Sequence, residues 1–234
     1  MAEPEDSLRQ SRVDYAGPGL GEQQLAPTPY EQLVHWLEEA VRRQADRGDV
    51  PEPYAMALAT VDEQGRPDVR TVLMRLLTEQ GPGFVTNLQS AKGRQLARVP
   101  FAAATMTWPA MYRAVRFRGP TQQVPRGEIE RYFARRPWGS RVSAWASAQS
   151  APVAGRAELE EAFAAYAARF PDHGRDDDVP VPAQWGGVRI IVTEVEFWAG
   201  RPNRLHDRLR LTRDSGVPGT LATPGVWQVQ RLQP

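Results

Sequence analysis

The chain has 234 residues, which suits one sizeable globular domain and is short for two. Hydrophobic residues make up 41% and charged residues 24%, as is ordinary for soluble globular proteins. The formal net charge of +1 provides no overall field to attract nucleic acid or a membrane surface, and we expect neither as a partner. The absence of cysteine excludes disulfides, thiolate metal sites and cysteine nucleophiles, and it fits a reducing compartment.

No segment of the sequence is typical of export or membrane insertion. No apolar run approaches the length of a transmembrane span. The first thirty residues contain Glu3, Glu5 and Asp6 and lack the apolar core of a signal peptide. We therefore expect a cytoplasmic protein.

Residues 1–28 are polar and rich in Gly, Pro and Gln, so we predict a mobile N-terminal arm, followed by a single domain over residues 29–234. Thr28-Pro29-Tyr30-Glu31 is a capping box with proline at the first helical position, and Gly48 can end the helix that begins there. Further helices are predicted over residues 90–98, 127–135 and 157–170. Strands are predicted over residues 55–61, 69–76, 83–86, 101–108, 112–119, 188–198, 205–212 and 226–232.

The order of these elements predicts the fold class. Strands are interrupted by helices without the regular alternation of parallel sheets, which indicates an α+β domain built on an antiparallel barrel. The segment 140–150 between two predicted helices is small and polar around Trp145, and we predict no helix there.

Two stretches in the first half of the chain carry candidate binding residues. Arg70 and Arg75 are five residues apart on a predicted strand and point to opposite faces, which taken alone favours two solvated edge charges. Ser90 caps a predicted helix whose first turn holds Lys92, the only lysine of the chain. A lysine there opposes the helix dipole, and a bound phosphate cancels that cost. An exposed lysine is the equally weighted alternative.

Two further stretches lie in the second half. Tyr132 and Arg136 share a predicted helical face, with Ser140 just past Pro137, and these side chains suit a phosphate, although a helix end with surface arginines is the commoner arrangement. Arg204, His206 and Arg208 fall on one side of a predicted strand. Such groups repel one another unless an anion or a π system lies between them, so a ligand site is favoured over a structural histidine.

No phosphate-binding glycine loop, dinucleotide fingerprint, zinc-protease motif or serine-hydrolase elbow occurs in the sequence. Several anion-binding clusters without a glycine-rich loop indicate two phosphorylated ligands held by side chains. We expect no metal site.

These four stretches, in this order and spacing, resemble the pyridoxine 5′-phosphate oxidase family. The similarity runs from about Arg12 to the terminal Arg231-Leu232-Gln233-Pro234. Its most specific markers are Ser147-Ala148-Gln149-Ser150, Gln184-Trp185-Gly186-Gly187 and Arg204-Leu205-His206-Asp207-Arg208. The resemblance implies an FMN-binding split β-barrel with peripheral helices, working as a homodimer with the flavin in the subunit interface.

The resemblance also implies site residues by motif position. The implied flavin contacts are Arg70, Thr71, Val72, Leu73, Met74, Arg75, Val85, Thr86, Lys92, Gln149, Ser150, Trp198 and Arg208. The implied contacts to the substrate phosphate are Arg75, Tyr132, Arg136 and Ser140. Arg204 and His206 are implied to lie against the pyridine ring as the catalytic pair, and Arg12 and Tyr15 to belong to a segment that closes over the substrate.

The implied reaction oxidises pyridoxine or pyridoxamine 5′-phosphate to pyridoxal 5′-phosphate. A hydride passes from the exocyclic C4′ carbon to the flavin, and dioxygen then reoxidises the flavin and yields hydrogen peroxide. The flavin carries the difficult chemistry, while the protein stacks, orients and desolvates.

Three positions depart from the family pattern. Arg75 stands where the family has lysine, and Ala91 stands where an arginine is common. Ala114 replaces a glutamine that contacts the flavin. Because alanine cannot form that hydrogen bond, we expect FMN to bind several-fold more weakly.

Two other functions remain open. A flavin oxidase of secondary metabolism, as in phenazine pathways, can share the fold, but an unphosphorylated substrate has no need of Tyr132, Arg136 and Ser140. A non-catalytic flavin- or pyridoxal-phosphate-binding protein can also share it, and the presence of Arg204 and His206 argues against that role.

Overall fold

The structure is a computed structural model that describes residues 13–214 and 216–234. The chain divides into two compact units. Of the described residues, the first comprises 13–55, Thr105–Phe117, 193–214 and 216–234, and the second Met56–Ala104 and Arg118–Val192. Five α-helices are described: α1 (Pro29–Arg47), α2 (Ala91–Arg98), α3 (Arg126–Ala134), α4 (Trp138–Ala146) and α5 (Arg156–Arg169).

Ten strands are described within these residues, and three of them, β1, β5 and β6, have residues in both units. The strands are β1 (Ala55–Val61), β2 (Pro67–Leu73), β3 (Leu76–Thr78), β4 (Gly81–Asn87), β5 (Phe101–Trp108), β6 (Arg113–Gln123), β7 (Trp185–Ile190), β8 (Glu194–Ala199), β9 (Asp207–Thr212) and β10 (Gln228–Arg231).

In the first unit, the strand order is β10-β9-β8-β6-β5. The pairs β8–β9 and β9–β10 are antiparallel, with Phe197 opposite Leu209 in the first of them. Helix α1 packs its apolar face on this unit, where the rings of Trp36 and Phe197 meet edge to face at 5.3 Å. Val115 and Phe117 on β6 are fully buried, and they alternate along the strand with Arg116 and Arg118.

In the second unit, the strand orders are β5-β1-β2 and β6-β7-β4-β3. Strands β4 and β7 are antiparallel, with Val85 opposite Gly187. A second hydrophobic core lies beside them and is formed from α3, α4 and the loop before β7. Its buried members are Val124, Ile129, Phe133, Val142, Val179 and Trp185. This core supports the helices that carry much of the candidate site.

Several elements confirm the sequence prediction because their signals are local. The side chain of Thr28 accepts the Glu31 N–H and Glu31 accepts the Thr28 N–H, completing the capping box, and Gly48 ends α1 with a left-handed φ of 70°. Ser90 caps α2 by accepting the Gly93 N–H at 3.3 Å. Among the described helices, none is long and apolar enough to cross a bilayer.

Other elements differ from the prediction. Residues 138–146 form helix α4, where we predicted none, because a helix opened by Pro137 buries Val142 in the second core. The predicted strand 188–198 is two strands, β7 and β8, separated at residues 191–193. The predicted strand 69–76 is likewise divided, so Arg75 lies between β2 and β3 and does not share a strand with Arg70.

Candidate functional site

A cavity of about 750 Å³ lies in the second unit, within reach of β2, β4, α2, α3 and α4. Its lining contains several cations, and no aspartate or glutamate of residues 13–214 or 216–234 takes part. The lining residues are Thr71, Val72, Leu73, Arg75, Val85, Thr86, Lys92, Tyr132, Arg135, Arg136, Pro137, Ser140 and Gln149. A concave site with positive charge and no carboxylate attracts anions.

Lys92 forms one end of this positive lining. Its side chain is buried, and its ammonium donates to three neutral oxygens, Gln149 Oε1 at 3.0 Å, Thr86 Oγ1 at 3.2 Å and Ser90 Oγ at 3.5 Å. Burial lowers the pKa of Lys92, and the positive charge of Arg70 lowers it further. A buried ammonium with only neutral partners is costly, and a bound phosphate would offset that cost.

Arg136 forms another part of the lining. Its guanidinium lies 4.8 Å from the centre of the Trp185 ring, and Nη1 is buried without a hydrogen-bond partner in the part of the chain that the structure describes. Burial lowers the pKa of Arg136, and the charge of Arg75 acts in the same direction. The Tyr132 ring stacks on Trp185 at 6.2 Å, so one indole positions both side chains. A buried donor without a partner, beside further cations, is suited to an anionic ligand.

Helix α3 ends at Ala134, before Arg136. The prediction that Tyr132 and Arg136 share a helical face is therefore wrong. The turn before Pro137, in which the Arg136 N–H donates to the Phe133 carbonyl at 3.0 Å, still brings Arg136 to the cavity with Tyr132 and Ser140. Arg135 also lines the cavity and was not among the predicted site residues, although it stands in the same motif.

The structure does not bring Arg70 or Met74 to the cavity wall. Met74 is buried in the unit. The Arg70 guanidinium donates to Asp68, to Thr60 and, at 3.1 Å, to Gln95 Oε1. Its charge still acts at Lys92, so Arg70 influences the cavity without lining it. No sequence signal identified Asp68 and Gln95 as its partners, although Asp68 is two residues away on β2 and only Gln95 comes from another element, α2.

Gln149 and Ser150 follow α4. Gln149 lines the cavity and accepts a hydrogen bond from Thr86 at 2.8 Å in addition to that from Lys92. Ser150 does not line it, and its left-handed φ of 72° is uncommon for a residue with a side chain. Both residues also border a second recess of about 440 Å³ with Asn87 and Arg94.

The remaining described site residues belong to the first unit. The rings of Trp198 and His206 lie 4.7 Å apart, and the Tyr15 ring meets His206 at 5.2 Å and Trp198 at 5.9 Å, both edge on. His206 Nδ1 accepts the Arg201 N–H at 3.1 Å. Tyr15, Trp198 and His206 therefore lie together in this unit. Arg12 lies outside the described residues.

Arg204 is exposed and has a left-handed φ of 61°, next to Asn203 with a φ of 55°. Strand β9 begins only at Asp207, so the prediction that Arg204, His206 and Arg208 share a strand face is wrong. The cause is the turn Pro202–Arg204, which reverses the chain before the strand starts. Consecutive left-handed residues with side chains are strained, and such strain is often retained at functional sites.

Arg208 is held by Glu196, which no sequence signal identified. Arg208 Nε donates to Glu196 Oε1 at 2.8 Å, and Arg116 Nη2 donates to Glu196 Oε2 at 2.8 Å. Arg116, Glu196 and Trp198 border a recess of about 350 Å³ whose wall includes Ala114. The small side chain of Ala114 leaves this space open beside Trp198.

Comparison with family models gives two matches. Residues 43–198 match the model described as Pyridoxamine 5′-phosphate oxidase, and residues 185–234 match the Pyridoxine 5′-phosphate oxidase C-terminal dimerisation region. A pyridoxine/pyridoxamine 5′-phosphate oxidase of Burkholderia ambifaria is 43% identical over 228 residues, which cover 97% of this chain and 99% of the relative. One of Kineococcus radiotolerans is 44% identical over 223 residues, covering 95% and 97%.

Two solved structures are similar over most of the chain. PhzG from Burkholderia lata, in complex with tetrahydrophenazine-1-carboxylic acid, has a TM-score of 0.78 at 27% identity and covers 94% of this chain and 100% of its own. A pyridoxamine 5′-phosphate oxidase-related, FMN binding protein from Nostoc punctiforme has a TM-score of 0.65 at 18% identity, with 90% and 99% covered, and shows the fold alone. These matches confirm the expected α+β split-barrel fold.

Proposed function

Because the chain belongs to the pyridoxamine 5′-phosphate oxidase family, we propose that it binds FMN and oxidises pyridoxine and pyridoxamine 5′-phosphate to pyridoxal 5′-phosphate. Dioxygen is the proposed electron acceptor, and hydrogen peroxide is the second product. The observation that carries the proposal is the cavity of about 750 Å³ whose lining has Arg75, Lys92 and Arg136 and no described carboxylate. Phosphorylated ligands match that lining, whereas neutral ligands leave its charges unpaired.

The residues present fit an FMN phosphate at the Lys92 end. The Lys92 ammonium is buried among three neutral oxygens, so a phosphate group gives it the anionic partner it lacks. Thr86 and Gln149 are positioned to share that phosphate. The proposed flavin contacts that line the cavity in this unit are Thr71, Val72, Leu73, Arg75, Val85, Thr86, Lys92 and Gln149. Arg70, Met74, Ser150, Trp198 and Arg208 remain proposed contacts on motif position.

The residues around Arg136 fit the substrate phosphate. Arg136 Nη1 is the buried donor that has no partner among the described residues. The hydroxyl groups of Tyr132 and Ser140 and the guanidinium of Arg75 line the same cavity. Two phosphates, one at each end of the cavity, would use cations whose surroundings, among the described residues, contain no carboxylate in the cavity lining.

Bound FMN would supply the redox chemistry, accepting a hydride equivalent from the C4′ carbon and returning the electrons to dioxygen. The chain's own residues would bind and orient the vitamer. Because His206 Nδ1 accepts the Arg201 N–H, neutral His206 carries its proton on Nε2. Nε2 is therefore the atom through which His206 would exchange a proton with the substrate. Exposed Arg204 would orient the pyridine ring with its guanidinium.

The proposal includes a homodimer, which the match of residues 185–234 to a dimerisation region supports. The single domain over residues 29–234 and the cytoplasmic location remain predictions from the sequence.

The proposal is tested by mixing the purified protein with pyridoxine 5′-phosphate under air, with and without added FMN, and following peroxide and the aldehyde. We expect turnover, with kcat/KM for unphosphorylated pyridoxine at least about 100-fold lower, since charged hydrogen bonds to the phosphate contribute about 1.5–3 kcal/mol each. A yellow protein inactive on both phosphorylated vitamers would contradict the vitamer assignment. A protein that stays colourless with excess FMN would contradict the flavin assignment.

A second candidate is the oxidation of a larger, polycyclic substrate. Two observations favour it: the likeness to PhzG, and the recess of about 350 Å³ that Ala114 leaves beside Trp198. The carboxylate-free lining around Arg136 favours the phosphorylated vitamer instead. Turnover of a tetrahydrophenazine carboxylic acid by a protein inactive on both vitamers would favour the second candidate.

Restoring glutamine at position 114 is expected to tighten FMN binding. One added neutral hydrogen bond contributes about 1 kcal/mol, so A114Q should lower the Kd for FMN about 5-fold in a fluorescence-quenching titration. A114L is the matched control, because it fills the same recess without a hydrogen-bonding group. Equal gains in A114Q and A114L would show that packing in the recess, and not the amide, sets the affinity.

A further inference from the structure

Hydrogen bonds and ion pairs connect the segment that precedes α1 with the C-terminal strands. The charged residues involved are called here the Arg231 cluster, and they are Glu22, Arg201, Asp207 and Arg231. Arg231 on β10 donates to both oxygens of Glu22, at 2.8 Å each, and to Asp207 Oδ1 at 2.6 Å. Its Nη2 also donates to the Leu20 carbonyl at 3.3 Å. The Arg231 guanidinium therefore connects the segment before α1 with β9, from its own place on β10.

Asp207 completes the cluster from the first position of β9. Its Oδ2 accepts the Leu20 N–H at 2.9 Å and the Arg201 Nε–H at 2.9 Å. Burial alone would raise the pKa of Asp207, but the hydrogen bonds from Leu20, Arg231 and Arg201 lower it on balance, so the carboxylate stays charged. Exposed ion pairs contribute little singly, but here they share a buried aspartate that also binds the backbone.

The backbone at Gly19 is adapted to this contact. Its φ is 75°, and a Cβ there would lie 2.4 Å from the Arg201 guanidinium carbon and 2.5 Å from Asp207 Oδ2. Only glycine allows the chain to pass so close to the cluster. Leu20 beside it is buried. The close approach at Gly19 and the burial of Leu20 therefore define how this segment packs against the Arg231 cluster.

Tyr15 is held a few residues earlier on the same segment. Its ring lies edge on to His206 at 5.2 Å and to Tyr112 at 5.3 Å. Arg201 connects this contact with the cluster, because its side chain binds Asp207 while its backbone N–H binds His206 Nδ1. Two connections therefore run from the Arg231 cluster to the His206 imidazole. One passes through Arg201, and the other passes along the segment that carries Tyr15.

We propose that Arg231 and Asp207 are positioning residues that fix the segment at Gly19–Glu22 and so hold Tyr15 against the His206 ring. For catalysis, this inference rests on the proposed function, in which His206 contacts the vitamer. Without the cluster, ordering the segment costs conformational entropy that its remaining contacts do not offset.

The direct test reads the His206 ring without any ligand. The chain has three histidines, so protein labelled with ¹³C-histidine gives few signals, which the variants H35Q and H173Q assign. In R231Q, we expect the His206 signals to move toward their positions in Y15A, because the ring-current effect of Tyr15 is lost. R210Q is the matched control, since Arg210 lies on neighbouring β9 and its side chain bonds Gln230, and no other side chain of the described residues, across the pair. In R231K, the His206 signals should lie between their positions in R231Q and in the wild type.

Unchanged His206 signals in R231Q, or an equal shift in R210Q, would overturn the proposal. If R231Q does not fold, E22Q removes the exposed half of the cluster and should move the signals in the same direction by a smaller amount. No movement in a folded E22Q would then overturn it.

A kinetic measurement tests the consequence for the reaction. We expect R231Q to raise KM for pyridoxine 5′-phosphate about 10-fold, the effect of losing one charged hydrogen bond, with a smaller change in kcat. The double variant Y15A/R231Q should behave as Y15A alone, and additive losses would contradict a route through Tyr15. If the wild-type protein oxidises neither vitamer, the proposed function fails while the histidine signals still test the positioning.

Discussion

Replacing Arg204 by glutamine is expected to lower kcat/KM for pyridoxine 5′-phosphate at least about 100-fold, the scale of losing a positioned catalytic group, while FMN content stays at the wild-type level. Arg204 is an exposed residue with no described hydrogen bond or ion pair to hold it, and it sits in a left-handed conformation. Because strain of this kind often persists where it serves a site, we expect a ligand to contact Arg204. Steady-state kinetics and the flavin absorbance of the purified variant measure the two quantities.

The variant R204G separates function from strain. Glycine adopts the left-handed conformation freely, so the free energy of unfolding of R204G should exceed that of R204Q by about 1 kcal/mol. For a chain of this size, that difference raises Tm by roughly 2–4 °C. Both variants should lose turnover equally. Loss of FMN in parallel with turnover would contradict the catalytic role of Arg204 and make it a flavin contact.

Replacing Lys92 by methionine is expected to weaken FMN binding about 10- to 100-fold, because one charged hydrogen bond to phosphate contributes about 1.5–3 kcal/mol. Binding of riboflavin, which lacks the phosphate, should change little. Fluorescence-quenching titrations with both flavins measure the difference. R98M is the matched control, since Arg98 is an exposed cation at the end of the same helix. Equal losses for FMN and riboflavin would show that Lys92 supports the cavity and does not bind the phosphate.

The same variant is expected to be more stable than the wild type when no flavin is bound. Burial lowers the pKa of Lys92, so the folded protein binds this proton more weakly than the unfolded chain does. The buried ammonium of Lys92 destabilises the folded protein in full at any pH below the pKa of Lys92 in the folded state. This destabilisation disappears above the ordinary pKa of 10.5, where Lys92 is neutral in both the folded and the unfolded chain. K92M should therefore have the higher Tm near pH 7, and the gain should vanish at strongly alkaline pH. A lower Tm for K92M at pH 7 would contradict this.

Local signals in the sequence predicted many of the elements. The capping box at Thr28 and the Ser90 cap depend on side chains within three residues of one another, so they form wherever the chain is folded. Strands β1 and β5 have the predicted bounds, because each is a short apolar run flanked by turn residues, and in the structure every second residue of each is buried. Helix α4 was missed because its polar segment gains stability from burying Val142, which depends on partners remote in sequence.

For the candidate site too, one part could be predicted from the sequence and another only from the tertiary structure. The residue types were readable from the sequence: the single lysine behind a helix cap, the Tyr132-Arg136-Ser140 set and the Arg204-His206 motif, together with the resemblance that assigned their roles. Only the tertiary structure decided which of them line one cavity. It directed Arg70 to Asp68 and Gln95, and it brought Arg136 to the cavity from beyond the end of its helix.

The sequence by itself therefore determined the helix boundaries with caps, the family and the chemical character of the site, since each depends on neighbouring residues or on motif order. The tertiary structure decided the burial of Lys92, the buried Arg136 donor without a described partner, the left-handed Arg204 and the Arg231 cluster. These features arise where segments far apart in sequence meet and exclude water. Burial and partner geometry then set the energies of charged groups, and neither can be read from spacing along the chain.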